Sequence, residues 1–235
     1  METSFNISPD LKSRFSETWF HPLHLARRSL RAALASAVPH ARGRLLDIGC
    51  GSQRYQTLFA YVDRYIGIDL PSNPASSSRS LSAFANGLSL PFASGSFDTI
   101  LCTEVLEHVP EPLSLMREIA RVLRTGGYLI LTTPQTWGLH EAPHDYYRYT
   151  EFGLRYLAER SGLTVESVRP TCGIWTTVGQ RLSSFIFFFF GEGRPLFVKA
   201  LLAVVCAGWQ IAMAGLDALF GHRGDPLDHL LIAHK

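Results

Sequence analysis

Short apolar runs alternate along this chain with segments whose apolar residues recur at helical spacing. Residues 45–48 (LLDI) form an apolar run broken by one acid and followed at once by Gly49, Cys50 and Gly51, so the chain reads there as strand, tight turn and helix. Further strands are predicted at 65–70 (YIGIDL), 82–85, 97–102, 128–133, 163–168 and 229–235. Between them, Leu23, Ala26, Leu30, Ala33, Leu34 and Ala37 predict an amphipathic helix after Pro22 that ends near Pro39. Residues 52–61 predict a first crossover helix, and 71–80 (PSNPASSSRS) read as a loop. Leu113, Met116, Ile119, Ala120 and Leu123 predict a helix stopped by Gly126 and Gly127, and another runs from the polar stretch 140–150 to Gly162. Strands alternating with helices predict an α/β chain with a doubly wound sheet.

One stretch breaks the alternation. About sixty residues separate the sixth and seventh strands, and they hold FIFFFF (185–190) and the uncharged run 200–216 between Lys199 and Asp217. That run is just at the lower limit for crossing a bilayer. Three readings stand open for 173–220: a buried lid or homodimer contact, a segment lying in a membrane surface, or a span. A single crossing would strand the last strand on the far side, whereas two apolar segments joined by GEGRP can dip in and return. At the other end, Phe15, Trp19, Phe20 and the arginines of 11–44 belong either to a helix packed on the sheet with a solvated basic face or to a contact with an anionic membrane surface.

Composition narrows the class. A chain of 235 residues, 46% apolar and 18% charged, buries one sizeable α/β core. With 22 basic against 20 acidic residues its net charge is +2, which does not favour nucleic acid as a partner. The four cysteines, Cys50, Cys102, Cys172 and Cys206, form no C-x-x-C pair, which argues against structural zinc and for a reducing compartment. Residues 1–10 lack a basic stretch followed by a long apolar region, so no secretory signal is read and a cytoplasmic protein is expected.

Candidate chemistry gathers at two places. A strand running through glycines into a helix lets the backbone approach a cofactor closely, and an acid ending the second strand, Asp69, is placed to take two ribose hydroxyls. The most polar stretch, HEAPHDYYRYT (140–150), sets His140, His144 and Asp145 beside Arg148 and three tyrosines. A histidine there suits a general base by its pKa, with Asp145 to orient it. The alternative is that Asp145, Arg148 and the tyrosines simply hold the loop shut.

LLDIGCG (45–51), YIGIDL (65–70), LPFASGSFDTILCTEVLEHV (90–109) and LRTGGYLILTTP (123–134), in this order, resemble the class I S-adenosylmethionine-dependent methyltransferases of the small-molecule, LPF/LEHV-containing branch. The resemblance covers roughly 43–168 and the last strand. It implies a Rossmann-like seven-stranded sheet, mostly parallel, whose antiparallel last strand inserts between the fifth and sixth. The chain then divides into an N-terminal helical segment (1–42), a cofactor-binding core (43–170), a hydrophobic helical insertion (171–226) and the last core strand (227–235).

The same resemblance implies S-adenosyl-L-methionine as cofactor, held by Asp47, Gly49, Gly51, Asp69, Asn86, Gly87 and Glu104, with a small-molecule or lipid-linked methyl acceptor. Asn86 stands where the family usually has an acid for the adenine amino group; an amide still accepts there without charge assistance. Alternatively it merely turns the chain before Gly87. Glu104, Glu107 and His108 match an E-x-x-E-H pattern that goes with magnesium in relatives methylating quinone precursors. Histidine is a poor magnesium ligand and LEHV occurs widely without metal, so no metal is assigned. Two rival functions remain: a catalytically silent, membrane-associated module that binds the cofactor, and a nicotinamide-dependent oxidoreductase, disfavoured by Asp47 and by the missing third glycine.

Overall fold

A computed structural model describes residues 17–71, 82–221 and 223–235. The loop expected at 71–80 and the proposed surface residue Phe15 therefore lie almost wholly outside the described residues. The chain separates into two compact units, one made of residues up to Leu30 with Cys172–Leu227, the other of Arg31–Thr171 with Asp228–Lys235.

The larger unit is built on a seven-stranded sheet. Its strands are β1 (Arg44–Ile48), β2 (Arg64–Asp69), β3 (Ala83–Phe84), β4 (Phe97–Thr103), β5 (Leu123–Pro134), β6 (Thr164–Pro170) and β7 (Asp228–His234), in the spatial order β3-β2-β1-β4-β5-β7-β6. The first five pair in parallel, and β7 pairs antiparallel with both β5 and β6. The antiparallel last strand thus inserts between the fifth and sixth, as the resemblance implied. Two of its helices are α2 (Pro112–Val122) and α3 (Glu151–Arg160), after α1 (His24–Ala37) in chain order. Leu115, Met116 and Ile119 bury one face of α2 against Ile48, Ile100 and Leu129 in the core. The start of α3 is capped by Thr150, whose hydroxyl accepts the Gly153 N–H at 3.2 Å.

Two sequence expectations need correction. Residues 52–61 form no α-helix; turns lead into the short 3₁₀ segment Gln56–Phe59, because Phe59 is the one apolar side chain buried there and no apolar stripe exists to hold a longer helix. Helix α2 ends at Val122 rather than at the glycines: Leu123 turns extended, and Gly126 and Gly127 fall inside β5. A Cβ on Gly127 would meet the main-chain oxygen of Asp98 at 2.9 Å, so this glycine serves close strand approach instead of a helix stop. The FD of the fourth strand is structural as well, since Asp98 accepts the Arg44 N–H at 2.7 Å and pins the start of β1.

The smaller unit contains α4 (Ile174–Gly191) and α5 (Leu196–Phe220), an antiparallel pair joined by a short turn, with residues 17–30 packed on it. Gln180 donates to the Pro22 carbonyl at 2.7 Å and accepts from Ala26, while Gln210 donates to Trp19 and accepts from Leu25. Asp217 accepts the Gly173 N–H at 2.8 Å at the start of α4.

Candidate active site

The glycine turn sits where β1 ends. Gly49 and Gly51 have φ of +69° and +50°, the left-handed region that favours glycine. The N–H groups of Gly49 and Cys50 both donate to Ile68 O, at 2.9 and 3.1 Å, and Gly51 donates to Asp69 Oδ2 at 2.8 Å. The acid expected to take ribose hydroxyls therefore also braces the turn, and Leu70 N–H occupies its other oxygen at 2.7 Å. Each carboxylate oxygen keeps accepting capacity for a ligand. Asp47 is buried opposite Gly67 and Leu101, and Tyr65 donates its hydroxyl to it. Burial pushes the Asp47 carboxyl up to about 7, offset in part by the Tyr65 hydrogen bond.

Asn86 is exposed, and its side-chain oxygen accepts the Leu88 N–H at 3.0 Å, which is the turn-making role. Gly87 lies under Leu115, whose Cδ1 a Cβ there would meet at 2.8 Å. Its smallness serves the packing of α2.

At the carboxyl edge of β4 the chain turns abruptly. Glu104 has φ of +54°, rare for a residue with a side chain, and its N–H donates to Thr132 O at 3.0 Å. Its carboxyl hydrogen-bonds with Asp228, and burial raises both above the usual carboxylate range, with their mutual repulsion adding to the shift of Asp228. Glu107, fully buried, accepts from Thr133 Oγ1 at 3.2 Å and is likewise raised by burial first and by Glu104 second.

The polar loop closes on itself through Asp145. Arg148 reaches its two oxygens at 2.6 and 2.8 Å, and the His140 N–H donates to Oδ2 at 2.9 Å. These bonds, the Arg148 fork foremost, hold the Asp145 carboxyl well below the usual range. His140 Nδ1 stands 3.3 Å from Asp145 Oδ2 and 3.1 Å from Gly138 O, so the ring is oriented from its Nδ1 side. Its plane meets that of His108 edge to face, with centroids 4.7 Å apart, and ligand-type atoms of Glu107, His108 and His140 lie within 4.8 Å of one another. His144 is not part of that group: its ring is exposed and bonds Tyr146 Oη at 3.1 Å, and only its main-chain oxygen meets His108. Of the two histidines, His140 has its ring held beside the Asp145 carboxylate, whereas the ring of His144 contacts Tyr146.

Residues 46–131 match the family model described as a methyltransferase domain. That stretch is similar to methyltransferase domains, in line with the resemblance carried by the sequence motifs. Among curated relatives, a ubiquinone biosynthesis O-methyltransferase of Ralstonia nicotianae is 30% identical over 57% of this chain and 65% of its own length. A like-named protein of Xanthomonas euvesicatoria is 33% identical over 48% of this chain and 49% of its own. The chain thus spans less than two thirds of the curated relatives it matches first. Among solved structures, an S-adenosylmethionine-dependent methyltransferase from Mesorhizobium loti superposes with a TM-score of 0.58 at 16% identity, over 90% of this chain and 100% of the other. The [4+2]-cyclase SpnF matches equally well, TM-score 0.58 at 21% identity, over 88% and 80%. A shared methyltransferase fold therefore leaves the reaction to the site itself.

Beside Glu104, the buried carboxylate that sequence reading did not single out is Asp228. It stands two residues before the apolar run that starts at Leu230 and begins an antiparallel strand, so it falls at the carboxyl edge of its parallel neighbour, opposite Pro134. The signal was the topology: an acid at the start of an antiparallel insertion lands where the parallel strands end.

Proposed function

We propose that this chain transfers the methyl group of S-adenosylmethionine to an oxygen of a small acceptor, with His140 as general base and Asp145 as the residue that positions it. The carrying observation is the pairing of an Asp69-braced glycine turn with a His140 oriented by an arginine-locked carboxylate in one unit. The sulfonium already makes methyl a good electrophile, so the enzyme's task is to align acceptor, methyl and sulfur. A hydroxyl acceptor must also lose a proton, which gives an oriented imidazole its task. The name of the Ralstonia relative supports oxygen over nitrogen or carbon.

The acceptor is inferred to be apolar or lipid-linked and the enzyme to work at the cytoplasmic face of a membrane; the exposed apolar side chains of α4 and α5 favour this over a homodimer or a lid. The test is calorimetry with S-adenosylmethionine and with NADH, followed by mass spectrometry of phenolic and lipid-extract acceptors incubated with cofactor labelled at the methyl. Binding of NADH alone would establish the oxidoreductase, and cofactor binding without labelled product from any acceptor would establish the silent module.

A further inference from the structure

The α4–α5 hairpin carries its side chains the opposite way round from a helix pair in water. Met213 apart, what it buries is small or polar: Thr177, Gln180 and Ser183 in α4, Ala203, Ala207 and Gln210 in α5. The helices touch through small residues, and a Cβ on Gly179 would meet Met213 Cβ at 2.7 Å. Large apolar side chains point outward, with Phe189 68%, Leu196 75%, Phe197 74% and Leu201 63% exposed. Small residues at the contact and bulky apolar ones outside is how helices pack in lipid. The exposed positions are also spread widely. On α5 the buried residues fall at 203, 206, 207, 210, 213 and 217, one narrow stripe, and only 28% of its most apolar stretch is covered by protein. A second copy would cover one side of such a helix, whereas hydrocarbon can cover its whole outer surface.

Charge and connectivity set the depth. Pro170 pairs with His229, so the insertion leaves and rejoins the sheet at neighbouring strands, and both of its ends lie on one side of any bilayer. Arg181 interrupts α4, and the uncharged turns left at 182–191 reach about 15 Å at ~1.5 Å per residue, half of a hydrocarbon core of about 30 Å. Glu192, Arg194 and Lys199 stand at the hairpin's tip, where hydrocarbon would strand them. Laid along the surface, the same arginine and lysine stems reach the headgroups. Across the α4–α5 hairpin the charged residues are Arg181, Glu192, Arg194, Lys199 and Asp217; with Asp217 buried, three cations to one anion remain outside, which favours anionic lipid.

We propose that the α4–α5 hairpin embeds in one leaflet of a bilayer carrying anionic lipid, without crossing it, and docks the protein there. Delivery of an acceptor from that leaflet rests on the methyltransferase reading; the docking itself does not. The experiment is flotation of the purified chain with vesicles of phosphatidylcholine alone or mixed with phosphatidylglycerol, alongside a variant carrying Phe185→Ser, Phe189→Ser, Phe197→Ser and Leu201→Ser, all at exposed positions. The protein is expected to float with the mixed vesicles, to bind phosphatidylcholine at least tenfold more weakly, and to lose flotation in the variant while its cofactor affinity is unchanged. Protein that stays in the soluble fraction overturns the proposal, as a dimer contact if sedimentation gives twice the monomer mass and as a lid if it gives one. Equal flotation of the variant overturns it too. Because flotation reads no chemistry, its failure leaves the methyl-transfer assay free to succeed, and the reverse.

Discussion

The carboxylate of Asp69 accepts the main-chain N–H of Gly51 at 2.8 Å, tying the end of β2 to the turn that follows β1. One side chain thus shapes the glycine turn, and it is the same side chain that the sequence offers as the ribose acceptor. Asp69→Ala strands the Gly51 and Leu70 amides and removes the ribose acceptor, each charged hydrogen bond contributing about 1.5–3 kcal/mol. Calorimetry should show S-adenosylmethionine affinity reduced at least tenfold, with Asp69→Asn in between. Unchanged affinity in the alanine variant would remove Asp69 from the cofactor site.

Gly49 combines a left-handed φ with a tight neighbour, since a Cβ there would lie 2.3 Å from Val105 Cγ2. Gly49→Ala is expected to lose roughly 1–3 kcal/mol of stability from backbone strain, before the clash is counted. Adding Val105→Ala should restore space but leave the φ strain, giving partial recovery in thermal melts. Full recovery would mean that the conformation of the turn does not matter.

Asp47 makes a prediction about pH. Its folded pKa, about 7, lies above the unfolded value of 3.8, so the stability it contributes is fully present below about pH 4 and is lost as pH rises through 7. Three units correspond to a ceiling of roughly 4 kcal/mol. Glu104, Glu107 and Asp228 are raised in the same direction, so the difference between wild type and Asp47→Asn is the informative quantity. Urea denaturation should show Asp47→Asn gaining on wild type between pH 5 and pH 8; parallel curves would remove Asp47 as the cause.

What the sequence made legible follows from where periodicity is strong. The strands were readable because β1, β4 and β5 are apolar runs buried on both faces, and the resemblance supplied the place of the antiparallel β7. Residues 52–61 misled because a helix was expected by analogy where only Phe59 anchors the segment. Asn86 reads alike as an adenine partner or a turn former, and the Leu88 N–H it accepts adds weight to the second reading. His140 and His144 are equivalent in sequence, and only the closure of Asp145 on Arg148 separates them. The inverted hairpin was invisible to composition, since it depends on which side of each helix faces inward.

Glu107, His108 and His140 lie close enough for a cation, so the role of His140 needs a direct check. Proton transfer by His140 predicts a methyl-transfer rate that EDTA changes less than twofold, because the sulfonium chemistry needs no Lewis acid. A tenfold loss restored by a divalent ion would reassign His108 and His140 to ligation.

The last prediction separates the two histidines. His140 is held through its main-chain N–H and its ring by the Asp145 carboxylate, and a buried Glu107 lies beside its His108 neighbour; His144 is exposed and contacts Tyr146. His140→Ala should lower kcat by about 10²–10⁴ with cofactor affinity intact, the usual range for a lost general base, whereas His144→Ala should change it little. Arg148 acts one step back by fixing Asp145. Arg148→Lys keeps the charge but cannot span both carboxylate oxygens, and it should lower kcat less than His140→Ala while shifting the pH–rate profile. The direction follows from geometry: an Asp145 freed from arginine can turn fully to the imidazole, stabilise its protonated form and move the acidic limb, where a general base loses its proton, to higher pH. A rate lost equally in both histidine variants, or an Arg148→Lys profile that is lower but unshifted, would show that the loop supplies shape and not a base.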